Sequence, residues 1–290
     1  MSWLELSVLS RHPEFAEEIL LAHGALSVSL FDAADDPVLE PAPGETPLWL
    51  RTRTVGLFAE GTDFAPVLAA LREILPDGSQ AVATTAALAD AEWTRIWLRD
   101  WQPLKFGSRL WVCPREKSVE EPGCVTVLLD PGLAFGTGTH PTTALCLEWL
   151  SGAELTGKSV LDYGCGSGLL GIAALKLGAA RVVGVDLDPQ ALTATHENAE
   201  QNDVGKRITV QAPEAALEGS FDVVVANILA QPLIQLAPTL TAALKPGGFL
   251  VLAGLLDRHA QEVCDAYRGA IAFDPPLERE GWTRLSGCCR

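Results

Sequence analysis

The stretch that most constrains the fold is "SVLDYGCGSGLLGIAALKLGA", residues 159–179. An apolar run typical of a buried strand leads directly into Gly164, Gly166 and Gly168, and a helical pattern follows. Glycines let the backbone turn sharply and let a ligand approach without Cβ atoms in the way. The segment therefore predicts a strand, a ligand-binding turn and a helix, which together form the first unit of an α/β domain.

Two polar residues at later strand ends narrow the choice of ligand. Asp186 ends the strand in "VVGVDLDP", where a carboxylate can accept hydrogen bonds from both ribose hydroxyls of a nucleoside. A dinucleotide fingerprint would require glycine at position 169, but the residue is Leu, and Asp162 precedes a G-x-G-x-G spacing. The strand "FDVVVA" brings Asn227 to the carboxyl edge of the sheet, where its side-chain carbonyl can orient an amine. The alternative is that Asn227 only caps the helix that follows.

The alternation of strands and helices after residue 104 predicts a doubly wound α/β domain with a mostly parallel sheet. The strands are expected near 159–163, 181–186, 207–211, 221–226 and 248–254. The helices are expected near 168–178, 189–202, 231–243 and 257–268.

Residues 1–90 have a different pattern, with two rounds of strand, helix and strand separated by a Pro-rich loop. The order βαββαβ predicts a ferredoxin-like sandwich with a four-stranded antiparallel sheet. Residues 91–103 are expected to form a linker helix, with Trp93, Trp97 and Trp101 on one face and Pro103 at its end. We interpret the Trp stripe as a surface that packs the linker helix against a domain; the alternative is a surface that faces the substrate. Residues 104–290 then form the α/β domain.

Charge and composition exclude several classes of partner. The formal net charge is −16, which argues against nucleic acid as the main partner because phosphate binding needs a basic face. Residues 1–90 alone carry 14 acidic residues, four arginines and no lysine, a net charge of −10. This charge serves either solubility or the attraction of a basic partner. No apolar run is long enough for a membrane span and no leader is evident, which predicts a cytoplasmic protein.

Cysteine and histidine usage gives no sign of a disulfide framework or a metal site. The seven cysteines are odd in number and include no Cys-x-x-Cys pair, and the five histidines are scattered without ligand spacing. Cys165 lies in the glycine-rich turn but has no His partner in sequence, so a nucleophilic role is not expected. His140 is isolated in sequence, which favours a structural role over a catalytic one.

The motifs together resemble those of a known enzyme class. Asp162, the three alternate glycines, Asp186 and "FDVVVANIL" are similar to the motifs of class I methyltransferases, which bind S-adenosylmethionine (AdoMet). The stretch "DPGLAFGTGTHPTT", residues 130–143, together with "EWTRIWLRDWQPLKFGSRLWVCP", closely resembles the ribosomal protein L11 methyltransferase family. The resemblance extends over nearly the whole chain.

That resemblance implies AdoMet-dependent methylation of lysine side chains and the N-terminal amine of ribosomal protein L11. It also implies that the ferredoxin-like domain binds this basic substrate. Family cofactor contacts correspond to Thr143, Gly164, Asp186 and Asn227, and we add Gly166 of the same turn. Asn227 is expected to orient the amine, and no metal, direct nucleic acid or membrane contact is required.

One residue departs from the family pattern, and three alternative functions stay open. Ala253 stands where relatives usually have Ser, so hydrogen bonding there is expected to differ. An RNA methyltransferase or a small-molecule amine methyltransferase would be a rival enzyme; the acidic charge and the lack of a stacking Tyr after Asn227 disfavour this class. The third alternative is a non-catalytic AdoMet-binding protein.

Overall fold

The computed structural model describes residues 3–34, 49, 51–75, 80–84, 102–115, 117, 119, 121–129 and 138–290. The chain divides into two compact units, Met1–Trp93 and Thr94–Arg290. The Trp stripe of the predicted linker helix and most of the stretch 130–143 lie outside the described residues.

The first unit has the predicted ferredoxin-like topology. Its sheet has the order β2-β3-β1-β4, and every neighbouring pair is antiparallel. Two helices cover the sheet, because apolar residues recur on one face of each helix and pack against inward-facing strand residues such as Leu6 and Phe58. The elements are β1 (Trp3–Ser10), α1 (Pro13–Ala22), β2 (Ser27–Asp32), β3 (Thr52–Ala59), α2 (Ala65–Ile74) and β4 (Gln80–Thr84).

The second unit also contains a small three-stranded sheet. It consists of β5 (Leu104–Phe106), β6 (Leu110–Pro114) and β7 (Val125–Leu129), with β6 central. β7 runs parallel to β6 and is followed by the stretch 130–143.

The main sheet of the second unit confirms the doubly wound α/β prediction. Its order is β10-β9-β8-β11-β12-β15-β13, with β14 paired to β15. The strands from β10 to β12 are parallel, and β15 is antiparallel to β12. The strands are β8 (Ser159–Tyr163), β9 (Arg181–Val185), β10 (Ile208–Gln211), β11 (Phe221–Asn227), β12 (Leu244–Leu256), β13 (Ile271–Phe273), β14 (Leu277–Arg279) and β15 (Trp282–Cys289).

Helices lie on both faces of this sheet, and they account for two separate apolar cores. The parallel strands are continuous apolar runs because both of their faces are covered. The helices are α3 (Pro141–Gly152), α4 (Leu169–Lys176), α5 (Pro189–Gln201), α6 (Ala230–Gln235), α7 (Ala237–Ala242) and α8 (Ala260–Ala266).

Two of the predicted helices need correction. The single helix expected over 231–243 is two short helices, α6 and α7, that meet at Leu236. Pro238 has no N–H to donate to the carbonyl of Ile234, so the helical ladder is interrupted there. The helix expected over 257–268 begins with a 3₁₀ turn, Asp257–His259, and becomes α-helical only at Ala260.

The strand order reverses between β8 and β11, and this is the place where open α/β sheets bind ligands at their carboxyl edge. At the opposite edge, the Asp222 carboxylate accepts hydrogen bonds from the backbone N–H and hydroxyl of Ser159 and from Lys245 Nζ, at 2.7–2.8 Å. Burial raises the pKa of Asp222, but these hydrogen bonds outweigh it and hold that pKa well below its ordinary value. Asp222 therefore ties together the starts of β8 and β11.

Candidate cofactor and transfer site

The glycine-rich turn after β8 forms one wall of the site. Gly164, Gly166 and Gly168 all have positive φ, at 79°, 55° and 80°. A Cβ at Gly164 would lie 2.3 Å from Cγ2 of Ile228, and one at Gly168 would lie 2.7 Å from Cγ2 of Thr195. Both the backbone conformation and the close neighbours therefore require glycine at these two positions.

Asp186, at the end of β9, is bonded directly to this turn. Its Oδ2 accepts a hydrogen bond from the Gly166 N–H at 2.8 Å, and Oδ1 accepts one from the Asp188 N–H at 3.0 Å. Each carboxylate oxygen can accept more than one hydrogen bond, so acceptor capacity is left for a pair of hydroxyls. The next residue, Leu187, is 81% exposed and offers apolar surface beside that carboxylate.

Asn227 ends β11 and contacts the first turn of α3. Its Nδ2 donates to Oγ1 of Thr143 at 3.1 Å, and Thr143 is buried. The backbone N–H of Ile228 donates to the carbonyl of Ala253 at 3.2 Å. The main chain of Ala253 thus provides a contact that does not depend on the side chain at this position.

Ile228 connects these two groups of residues. Its side chain touches Gly164, and a Cβ at Gly254 would lie 2.4 Å from its carbonyl oxygen. Leu229 is 51% exposed at the same sheet edge. The five residues predicted to form the site are therefore brought together: Thr143, Gly164, Gly166, Asp186 and Asn227.

Comparison with known proteins decides the class of enzyme. The sequence model of the family described as "Ribosomal protein L11 methyltransferase (PrmA)" matches residues 2–289. This chain belongs to that family.

Relatives named ribosomal protein L11 methyltransferase align over almost their whole length. One from Methylococcus capsulatus is 52% identical over 292 residues, 99% of each chain, and one from Chromohalobacter salexigens is 51% identical over 295 residues, 99% of each. The crystal structure of a ribosomal protein L11 methylase from Lactobacillus delbrueckii subsp. bulgaricus has a TM-score of 0.60 and 31% identity. It covers 66% of this chain and 100% of that one.

As a member of this family the chain is an AdoMet-dependent methyltransferase with the class I fold. The residues at the sheet edge fit that cofactor chemically. The Asp186 carboxylate is suited to a ribose, the exposed Leu187 to the face of the adenine ring, and the glycine-rich turn to close backbone approach. Bound AdoMet supplies a methyl group that is already activated by its sulfonium, so the protein has mainly to position the acceptor.

The end of the stretch 130–143 lies beside the glycine-rich turn in this methyltransferase. Gly138 has φ of 82°, and a Cβ there would lie 3.4 Å from the Phe106 ring and 3.7 Å from Leu169, the first residue of α4. His140 caps α3, with Nδ1 accepting from the Thr142 N–H at 3.3 Å. The stretch therefore ends against the helix that starts at the cofactor turn.

His140 is held as a neutral capping residue. Burial lowers its pKa, while the charge of Glu280 acts in the opposite direction. Its ring packs edge-on against Trp282, with centroids 4.9 Å apart. A neutral imidazole can accept at Nδ1, whereas a protonated one cannot, so the cap depends on the neutral form. This geometry supports a structural role.

Two further ionisable groups lie beneath the cofactor turn. Burial raises the pKa of Asp162 to about 7, although the Gly171 N–H donates to its Oδ2 at 2.8 Å; Oδ1 is buried and has no hydrogen-bond partner among the described residues. Burial raises the pKa of Cys165 to about 12, which leaves it a thiol near neutral pH and removes it as a nucleophile.

All seven cysteines are free. Among the described residues, no group of three or more His, Cys, Asp and Glu side chains is arranged to hold a metal ion. None of the helices in the described part of the chain has the length and apolar character to cross a bilayer.

A cavity of about 780 Å³, lined in part by Trp149, Asp222 and Phe249, lies at the amino edge of the sheet, away from the cofactor turn.

Proposed function

We propose that this chain transfers methyl groups from AdoMet to amino groups of ribosomal protein L11, namely lysine side chains and the N-terminal amine. Thr143, Gly164, Gly166, Asp186 and Asn227 hold the cofactor in this proposal. The observation that carries it is the position of Asn227: the residue stands at the strand end beside the glycine-rich turn, with Nδ2 engaged by Thr143. Its Oδ1 is then directed to accept a hydrogen bond from an incoming amine.

Asn227 is the catalytic residue of this proposal because its carbonyl contacts the reacting nitrogen. A lysine amine has an ordinary pKa of about 10.4 and is mostly protonated in water at neutral pH. A partly desolvated pocket favours the neutral form, whose lone pair can attack. Asn227 Oδ1 accepts one remaining N–H and so fixes the direction of that lone pair. The methylated amine that forms is a cation, and it releases its proton to water.

The N-terminal unit is proposed to recognise the substrate. Residues 1–90 carry a net charge of −10 and no lysine, which suits a basic ribosomal protein, and the N-terminal unit is separate from the catalytic unit. We assign residues 1–90 to substrate recognition, 91–103 to a linker helix and 104–290 to methyl transfer. A ribosomal substrate places the reaction in the cytoplasm. The overall negative charge supports recognition that needs no direct nucleic acid contact.

The deciding experiment is incubation of the purified chain with isotopically labelled AdoMet and purified L11, followed by mass spectrometry of the acceptor. Label on lysine and N-terminal amines is expected. L11 whose amines have been chemically blocked is the matched control. Label that appears only in added ribosomal RNA or small amines would replace the proposed substrate. AdoMet binding without transfer to any acceptor would make the chain a non-catalytic AdoMet-binding protein.

A further inference from the structure

One face of helix α5 carries a row of buried polar side chains. Thr195 is fully buried, and Asn198 and Asn202 are each 3% exposed, with Asn202 at the C-cap of the helix. Their spacing of three and four residues places them in line along the helix. Burying an amide or hydroxyl costs free energy unless its hydrogen bonds are satisfied, so the partners of this row show what it does.

The first two members of the row hold the glycine-rich turn. Thr195 Oγ1 donates to the carbonyl of Gly166 at 3.0 Å, and Asn198 Nδ2 donates to the carbonyl of Ser167 at 2.9 Å. Both acceptors are consecutive backbone carbonyls of the turn. The adjacent N–H of Gly166 donates to Asp186, the residue predicted to bind the ribose. Asp186 and the row on α5 therefore hold the same short segment from two sides.

The third member holds a different segment. Asn202 Oδ1 accepts from the Leu128 N–H at 2.8 Å, and Nδ2 donates to the Leu128 carbonyl at 2.6 Å. Nδ2 also donates to the Asn198 carbonyl at 2.8 Å. One side-chain amide thus pairs with both backbone groups of a residue in β7, as a neighbouring strand would. β7 ends at Leu129, immediately before the stretch 130–143.

We propose that Thr195, Asn198 and Asn202 are positioning residues for AdoMet. They act through the backbone: one rigid helix face fixes the spacing between the glycine-rich turn and the strand from which the stretch 130–143 leaves. A merely structural role would require only that helix α5 stay attached, which Ala199 already supports by apolar packing. The three polar residues instead direct their hydrogen bonds to the glycine-rich turn and to β7.

The test compares two variants that each remove a buried hydrogen bond. Asn202→Leu keeps the approximate size of the side chain and leaves the Leu128 N–H and carbonyl unpaired. Tyr267→Phe is the matched control, because the Tyr267 hydroxyl donates to the Leu233 carbonyl at 2.8 Å in the same unit, in the apolar core that does not include β7. Calorimetry measures the AdoMet Kd of each full-length protein, and hydrogen exchange measures protection of the Leu128 amide.

Asn202→Leu is expected to raise the AdoMet Kd about tenfold, while Tyr267→Phe leaves it within about twofold of wild type. AdoMet should slow exchange of the Leu128 amide in the wild type and should fail to do so in Asn202→Leu. An unchanged Kd in Asn202→Leu would overturn the proposal. If that variant does not fold, Thr195→Val, which removes one hydroxyl at similar volume, is judged in its place: a Kd raised about threefold supports the proposal, and an unchanged Kd overturns it. No methyl acceptor is needed, so the result is independent of the proposed L11 substrate.

Discussion

The side chains of Asn227 and Thr143 are joined by a hydrogen bond in which Nδ2 of the amide donates to Oγ1 of the hydroxyl across 3.1 Å. The two residues are 84 positions apart in sequence, and the bond connects the end of β11 with the first turn of α3. It fixes which end of the amide is presented to the ligand side, because Nδ2 is occupied. Asn227 Oδ1 is therefore the acceptor available to an amine.

Thr143→Val tests this relationship directly. The substitution keeps the β-branched shape but removes the acceptor for Asn227 Nδ2, so the amide loses its fixed orientation. Misplacement of a reacting group by about 1 Å can lower a rate by roughly 10²-fold, and we expect methyl transfer to L11 to fall by about tenfold or more at saturating AdoMet. Thr143→Ser retains the hydroxyl and should stay close to wild type. Equal rates for the Val and Ser variants would show that the bond does not matter for transfer.

Asp186 should control affinity for the cofactor. Asp186→Ala removes the acceptor for the Gly166 N–H and, in our proposal, for the two ribose hydroxyls. Hydrogen bonds to a charged group are worth roughly 1.5–3 kcal/mol, so the AdoMet Kd should rise by about 10-fold to 100-fold. Asp186→Asn keeps one acceptor oxygen and should be intermediate. Calorimetry with AdoMet, and with NAD as the comparison ligand, measures both effects; tight NAD binding by the wild type would contradict the assignment of this carboxylate.

Asp162 should make the stability of the second unit depend on pH. Burial raises its folded-state pKa to about 7 from an ordinary 3.8. A raised carboxyl pKa means that the folded state holds the proton more tightly than the unfolded state. Protonated Asp162 therefore contributes to the free energy of unfolding, and this contribution is fully present below the unfolded-state pKa of 3.8. It falls by about 1.4 kcal/mol for each pH unit between the two pKa values and is lost as pH rises through about 7.

Asp162→Asn removes this titration and can still accept from the Gly171 N–H. We therefore expect the variant to gain stability relative to wild type as pH rises from 5 to 8, with the difference levelling off above the folded pKa. Urea unfolding of both proteins at pH 5, 6, 7 and 8 provides the measurement. A difference that stayed constant over this range would show that Asp162 keeps an ordinary pKa.

The sequence predicted those parts of the fold that depend on local pattern. Strand β8, the glycine-rich turn and the strand ends at Asp186 and Asn227 follow from apolar runs, glycine spacing and polar residues at fixed positions. β13 and β15 were not predicted, because β13 is only three residues long and β15 depends on pairing with distant β12. Their place in the sheet is set by tertiary contacts.

The supporting contacts of the site were also beyond sequence reasoning. In sequence, the polar face of a surface helix would look the same as the row formed by Thr195, Asn198 and Asn202. Only the fold shows that this row is buried against the glycine-rich turn and β7. In the same way, only the fold shows that Ile228 packs against Gly164 and that Leu229 presents a largely exposed side chain.

Removal of the N-terminal unit should separate cofactor binding from transfer. A fragment beginning near residue 104 retains every described residue of the proposed AdoMet site, so its AdoMet Kd should stay close to that of the full chain. Methyl transfer to L11 should fall to background, because the acidic unit no longer holds the basic substrate. Calorimetry and a transfer assay on the same preparation give both values. Transfer at the full-length rate would place substrate recognition in the catalytic unit.

Asn227 itself gives the sharpest test, because two substitutions make different predictions. Asn227→Ala removes the acceptor and should lower kcat more than any loss of AdoMet affinity explains. Asn227→Asp keeps an acceptor but adds a negative charge, which pairs with the lysine ammonium and raises its pKa. The Asp variant should therefore bind L11 yet transfer methyl slowly near neutral pH. Its rate should recover as pH rises, since the ammonium then loses its proton, whereas the rate of Asn227→Ala should recover less. Rates measured from pH 7 to 10 at saturating AdoMet and L11 decide the matter: if both variants keep wild-type turnover, Asn227 serves only as a cap for the following helix and the amine binds elsewhere.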